Sequence, residues 1–288
     1  HRSLVSGSIS VGKGYACHAE GQDTTASLYA SHAEGCRTFT AADFSHAEGS
    51  GSITKGIYSH AEGIETLASG SGSHAEGYLS VGWGLWSHAE GLQCEASGSG
   101  SHAEGYQSRA VGLASHVEGY QNVVGGDYSH AQGNENSCSG DYSFATGEEN
   151  ESGLSGAGGS YCFASGYQTF ASRSYSFTHG NRVTSSIEFQ VVHGQYNNTG
   201  SANHTGNLSQ FVVGAGLNQV DRINAFEAGH ETGDVTVPFI KISVSKSDST
   251  AIATGDFSNP EPGFMFYNTS TNYLYIYTNG AWKSSSFS

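Results

Sequence analysis

A small residue flanked by two polar ones returns at a fixed interval along most of this chain. In the string Ser-His-Ala-Glu-Gly the Ala alternates with His and Glu, as on a strand whose successive side chains point to opposite faces. The histidines are His18, His32, His46, His60, His74, His88, His102, His116 and His130, each 14 residues from the next. Between them runs a column of Ala19, Ala33, Ala47, Ala61, Ala75, Ala89 and Ala103. Seven residues on lies a second small column, Ala26, Thr40, Thr54, Ala68, Gly82, Ala96 and Ala110. Glycines close each string (Gly21, Gly35, Gly49 and onward to Gly147), and a second glycine column begins at Gly56 and Gly70. A fixed period of this kind marks a repeat architecture. Each 14-residue unit predicts two short strands and two tight glycine turns. Successive units then stack as parallel strands about 4.8 Å apart, a β-solenoid. The two small columns are expected to meet inside a thin roll where larger side chains do not fit. A helix is excluded, because each Gly costs it about 1 kcal/mol. A heptad coiled coil is excluded because its seam positions need apolar residues.

The frame extends past the regular block. Ser3 to Gly7 is a degenerate copy, Ser143 to Gly147 puts Phe144 in the histidine slot, and an insertion follows around Gly153 to Ser160. Copies ending at Gly166, Gly180, Gly194, Gly214 and Gly229 continue the frame. This predicts about 16 coils and a rod of roughly 75 Å at the strand spacing. The organisation read from the sequence is a repeat roll over 1–234, regular in 3–147 and irregular in 148–234, then a β-rich module over 235–288. In that module Gly263 to Asn268, Tyr273 to Tyr277 and the stretch from Ala281 read as three strands, with Asn279-Gly280 as a hairpin turn.

Composition narrows the function classes. Gly supplies 41 of 288 residues and charged residues only 13%; with 3 Pro and no three-residue period, collagen is excluded. Eleven basic residues against 26 acidic ones give a net charge of −15, so no basic face for nucleic acid is expected. No apolar run approaches the roughly 20 residues a membrane helix needs, and membrane insertion is not expected. The chain starts at His1 without a signal peptide, which reads as a processed chain or a fragment. Cys17, Cys36, Cys94, Cys138 and Cys162 show no zinc-type spacing. They read as small half-buried thiols, with an inter-chain disulfide as the lesser alternative. Asn150, Asn197, Asn203, Asn207 and Asn268 each open a glycosylation-type triplet, frequent by chance in so Asn- and Ser-rich a chain. No phosphate loop, nucleophile elbow or metalloprotease motif occurs, so neither a catalytic residue nor a cofactor is expected.

The unit Ser-x-Ala-x-Gly at 14-residue spacing resembles the head repeat of trimeric autotransporter adhesins, the YadA-like head. His stands where that repeat has Val, and Glu where it has Ile. The Ser-His-Ala-Glu-Gly form is similar to repeats of phage and large-virus fibre or appendage proteins. Those often precede a self-cleaving chaperone of the peptidase G2 type, and Phe211 to Gly214 with Asp221 to Glu227 resembles the segment before it. The resemblance covers about residues 3–234. It implies a left-handed parallel β-roll, three identical chains to a rod, and a His/Glu face turned toward neighbouring chains. The last module resembles a β-meander common near the C-termini of phage structural proteins. Its Tyr267, Tyr273, Tyr275, Tyr277 and Trp282 form a candidate receptor-binding tip or the packing of a trimer end.

Independently of the resemblance, the histidine slot takes Leu4, Phe144, Phe163, Phe177, Val191, Phe211 or Phe226 elsewhere, which suits a buried column. His32, Glu34, His46, Glu48, His60, Glu62, His74, Glu76, His88, Glu90, His102 and Glu104 are therefore read as a structural ladder between chains. Metal ligation is the second reading, with the nine histidines from His18 to His130 as candidates, since His and Glu can hold transition ions. Catalysis is set aside because a near-identical copy in every coil marks architecture. If Glu partners raise the histidine pKa values, their stabilisation is present below about pH 6.5 and lost as pH rises. The expected protein is a non-enzymatic fibre or spike at a virion surface or otherwise extracellular, joined to a virion or surface anchor and a host receptor. A bacterial surface adhesin and a glycan-cleaving or self-processing appendage are the alternatives.

Overall fold

A computed structural model describes residues 3–152, 159–197, 209–215, 224–229, 235–236, 265–268, 273–278 and 281–286, and no helix occurs among them. The chain divides into two compact units, His1–Thr236 and Val237–Ser288.

In the first unit each coil gives one strand to each of two parallel sheets. The histidine sheet runs in parallel from Leu4–Ser8 to Ser209–Ala215. Its register is the repeat itself, with His60 beside His74 and Ala61 beside Ala75. The second sheet has 13 strands of two residues each, from Val11–Gly12 to Thr184–Ser185. The expected parallel solenoid of 14-residue coils is thus observed, with about 13 complete coils among the described residues rather than 16. The difference lies at the C-terminal end of the roll. Asn224–Gly229 does not form another coil but folds back antiparallel on Ser209–Ala215, and Val235–Thr236 pairs antiparallel with it. A parallel stack ends in a row of unpaired backbone groups, and this return covers them. The insertion near Gly153 leaves the register intact, since Phe144 pairs with Phe163 and Gly147 with Gly166.

The backbone hydrogen bonds explain the corners. Strand N–H groups point to the following coil: His60 donates to Ser73 O at 2.9 Å, Glu62 to Ala75 O at 2.9 Å and Ile64 to Gly77 O at 2.8 Å. At the next residue the direction reverses, and Glu65 N–H donates back to Ser50 O at 2.8 Å. Glu65 reaches that partner with φ 54°. The other corner repeats the device at Tyr58 (φ 61°) and Trp86 (φ 58°), whose N–H groups bond Asp43 O and Ser71 O. Twenty-four described residues other than Gly have this backbone, and all but Ile9 and Ala16 of the first coil make the bond back to the preceding coil, each against roughly 1–2 kcal/mol of intrinsic preference.

The two glycine columns differ in cause. Gly63 has φ +106°, and a Cβ there would sit 2.2 Å from Gly77 O. Gly70 has no left-handed φ; its Cβ would meet Gly84 O at 1.9 Å, so closeness alone requires glycine.

The interior is narrow. Each coil buries a residue from both predicted small columns, such as Ala61 and Ala68. Most coils also bury two polar positions, such as Ser59 and Thr66, with Cys17, Cys94, Cys162 or Val183 in one of them elsewhere. The serines satisfy themselves locally: Ser59, Ser73 and Ser101 Oγ donate to the carbonyls of Gly56, Gly70 and Gly98 at 2.6–2.7 Å. Farther along, Asn122, Asn136 and Asn150 stack. Asn136 N–H donates to Asn122 Oδ1 at 2.7 Å and Asn150 N–H to Asn136 Oδ1 at 2.9 Å. The amide nitrogens of Asn136 and Asn150 donate to Gly147 O and Gly166 O at 2.8 and 2.7 Å. Asn150 and Asn197 are fully buried, which removes two of the five glycosylation-type triplets. Asn203 and Asn207 lie outside the described residues, as does the side chain of Asn268. Cys17, Cys94, Cys138 and Cys162 are buried rather than half-buried, and Cys36 is intermediate; burial keeps the four from reaching another chain.

The second unit contains an antiparallel meander of Met265–Asn268, Tyr273–Thr278 and Ala281–Ser286, the three strands read from the sequence. Tyr267 opposes Leu274, and Tyr277 opposes Trp282.

Candidate functional site: the histidine–glutamate ladder

Alternation along each first-sheet strand places His and Glu on the outer face of the roll and Ala inside. Parallel pairing without offset then puts identical side chains over one another at the strand spacing. From His18 to His116 adjacent imidazoles stack at 4.5–4.8 Å between centroids, within 9° of parallel. The His116–His130 step opens to 24°. His130 meets Phe144 edge-on at 5.0 Å, and Phe144, Phe163 and Phe177 continue as stacked rings.

Each Glu lies two residues beyond its His on the same face. The His Nε2 to Glu Oε2 distance is 3.5–3.8 Å in the coils of His18, His32, His46, His60, His74, His88 and His102. His130 reaches across instead, with Nε2 4.0 Å from Glu118 Oε1. These separations exceed hydrogen-bond length. From His32 to His130 Nε2 is buried without a hydrogen-bond partner in every histidine of the column. The imidazoles as a whole are half-buried, with side-chain exposures of 31–35%. In the single chain the column expected to be buried is therefore partly open. Leu4, Phe177 and Phe211 of the same slot are exposed.

The electrostatics contradict the expected rise in histidine pKa. Burial, then the neighbouring His32 and His60, lower His46 to about 4, and Glu34 and Glu62 only partly offset this. His74, His102 and His130 are lowered for the same reasons. A repeat that stacks His on His places more positive charge beside each ring than the sequence pairing with Glu suggests. The carboxylates alternate. Burial and hydrogen bonds with Glu90 and Glu62 raise Glu76 to about 7, and burial with Glu118 and Glu90 raises Glu104. At Glu90 burial pushes upward, but hydrogen bonds from Glu76 and Glu104 and the nearby His88 and His102 outweigh it, and the pKa falls. Glu76 and Glu104 are thus shifted toward the protonated form and Glu90 between them toward the carboxylate.

All twelve ladder residues named from His32 to Glu104 fall in this one face, with His18, His116 and His130 continuing the histidine column. The candidate tip residues Tyr267, Tyr273, Tyr275, Tyr277 and Trp282 lie on the strands of the meander, and their side chains are outside the described residues.

Two further ladders escaped the sequence reading. One is the buried Asn stack, signalled by Asn122, Asn136 and Asn150 at the repeat spacing. The other is a row of exposed corner rings, Tyr128, Tyr142, Tyr161, Tyr175 and Phe189, stacked at 4.8–5.1 Å. Its signal was an aromatic residue two positions before each histidine-slot residue from His130 to Val191, visible only once the corner is known to project outward. No protein-family model matches the chain, and no curated protein matches it.

Proposed function

We propose that this chain is the shaft of a trimeric fibre or spike, a left-handed β-roll that projects a recognition end from a virion of a phage or large virus for host attachment. The observation that carries this reading is an inversion of side-chain size. The roll buries Ala, Ser, Thr, Asn and a few Val, while Phe39, Ile57, Trp83, Leu85, Trp86 and Leu113 are exposed on its outside. So thin an interior removes little apolar area from water. The large side chains return free energy only when something covers them, and identical chains around a closed symmetry axis are the simplest cover. The half-open His/Glu/Phe column is one face suited to that contact.

In this reading the chain is not an enzyme, lies at a virion surface or otherwise outside cells, and presents the aromatic meander to a host glycan or surface protein. Light scattering of the purified chain tests the assembly. Three chains of 30.1 kDa give a particle of about 90 kDa, whereas a single-chain mass at all concentrations overturns the proposal. Binding of the labelled chain to candidate host cells, lost on removing 237–288, tests the attachment role.

A further inference from the structure

We propose that the His/Glu column is a ladder of divalent transition-metal sites, each built from two imidazoles and one carboxylate of adjacent coils. Five such sets are His32–Glu34–His46, His46–Glu48–His60, His60–Glu62–His74, His74–Glu76–His88 and His88–Glu90–His102, with the ligand atoms of each within 4.8 Å of one another. Two nitrogens and a carboxylate oxygen form a donor set suited to Zn2+, Fe2+ or Co2+ rather than to Ca2+ or Mg2+.

Three observations favour an ion over a purely polar ladder. First, the Nε2 atoms from His32 onward are buried yet have no hydrogen-bond partner, and an unmade bond of this kind is costly. Second, Nε2 and Oε2 of one coil stand 3.5–3.8 Å apart. That is too long for a hydrogen bond, yet close to the edge of about 3.4 Å that two bonds of about 2.1 Å subtend in a tetrahedral site. The second imidazole is farther, and bonds of that length span about 4.2 Å at most. The paired imidazoles stack at 4.5–4.8 Å, so their Nε2 atoms must tilt toward each other by a total of about 1 Å to reach the tetrahedral edge, and the part-exposed carboxylate has room to follow. Third, the coil does not need imidazole in this slot: Phe144, Phe163 and Phe177 occupy it in unbroken register.

Adjacent sets share a histidine, so they cannot all fill with separate ligands. The non-overlapping sets His32–Glu34–His46, His60–Glu62–His74 and His88–Glu90–His102 give an expected content of about three ions per chain with open positions for water. The inference rests on one chain and is independent of the trimer reading.

The test uses the full chain without an affinity tag, stripped with chelator. It is titrated at pH 7.5 with Zn2+ alone by calorimetry, with Co2+ as a spectroscopic probe of nitrogen ligation. The expected result is saturable binding of about three Zn2+ per chain and visible Co2+ bands. Replacing one imidazole per set (His46→Phe, His74→Phe and His102→Phe together) should weaken binding at least tenfold while circular dichroism is unchanged. A second variant, Glu34→Gln, Glu48→Gln, Glu62→Gln, Glu76→Gln and Glu90→Gln together, removes the carboxylate of all five sets and should do the same with the imidazole column intact. It keeps the test decisive if the first variant folds poorly. No saturable binding, or equal binding by wild type and the Gln variant, overturns the proposal. Particle mass by light scattering is read separately, so failure of the trimer and failure of the metal ladder are distinguishable.

Discussion

The histidine-bearing coils from His18 to His130 and the phenylalanine- and valine-bearing coils from Phe144 to Phe211 share a backbone but not a surface. Both keep the parallel register, the left-handed corners and a small buried residue beside the slot, Ala131 in one and Ala145 in the next. The outer slot changes from a polar to an apolar ring, and the stack simply continues through it. The interior changes in the other direction. It is mostly Ala, Thr and Ser as far as Ala110, then takes in Val117 and Val124 within the last histidine coils and Val183, Val192 and Val212 beyond them. Backbone pairing and close glycine contacts therefore define the coil, and the outer column is left free to serve whatever the roll meets.

The comparison breaks most severely at the glycine contact. Gly77→Val would place Cβ 2.2 Å from Gly91 O at φ +96°. The later coils have the same contact at Gly166, 2.0 Å from Gly180 O. Either substitution should cost more than about 3 kcal/mol, read as a large loss in denaturant midpoint or failure to fold. Equal tolerance of Val at both sites would show that the stack can separate locally.

The next effect is interior and confined to one region. Asn136→Ala removes the acceptor of Asn150 N–H and the donor to Gly147 O, leaving buried groups unpaired. It should cost about 2–4 kcal/mol, against about 1 kcal/mol for Ser59→Ala, which loses a single bond to Gly56 O. Chemical denaturation of the two variants side by side checks the ratio.

A smaller effect separates the regions by pH, measured in chelator. His46, lowered to about 4, and the lowered His74, His102 and His130 are harder to protonate folded than unfolded. The unfolded chain then binds more protons below its ordinary value of about 6.5, so stability falls as pH drops from there toward 4. Glu76, raised to about 7, and Glu104, raised, act oppositely: their contribution is present in acid and lost as pH rises toward neutrality. Four lowered histidines and the lowered Glu90 act in one direction against two raised carboxylates, so the loss in acid dominates. The melting temperature should fall by several degrees from pH 6.5 to 4.5, and the fall should shrink in the His46→Phe, His74→Phe, His102→Phe variant. A melting temperature that rises over the same interval would reverse the assigned direction.

The smallest effect is the sharpest control. His74→Phe alone should change stability by less than about 1 kcal/mol in the isolated chain, because Phe already sits in that slot three coils running (Phe144, Phe163, Phe177). A large loss would mean that the outer ring carries the coil after all.

The sequence by itself determined the period, the parallel register and which residues face in. A two-fold strand alternation repeated without drift leaves no other arrangement for Ala61 over Ala75 or His60 over His74. It also marked the three strands of the meander through their aromatic runs and the Asn279-Gly280 turn. Tertiary structure alone decided the rest. The copy ending at Gly229 keeps the spacing signal but lies where the stack must end, and its edge is closed antiparallel. Tyr58 and Glu65 carry no local mark of a left-handed backbone; the direction of an N–H toward a neighbouring coil imposes it. The fall in the His46 pKa likewise comes first from burial in the stacked column and then from His32 and His60, 14 residues away on either side. Charges so placed act on one another only when stacking brings them to within a strand spacing.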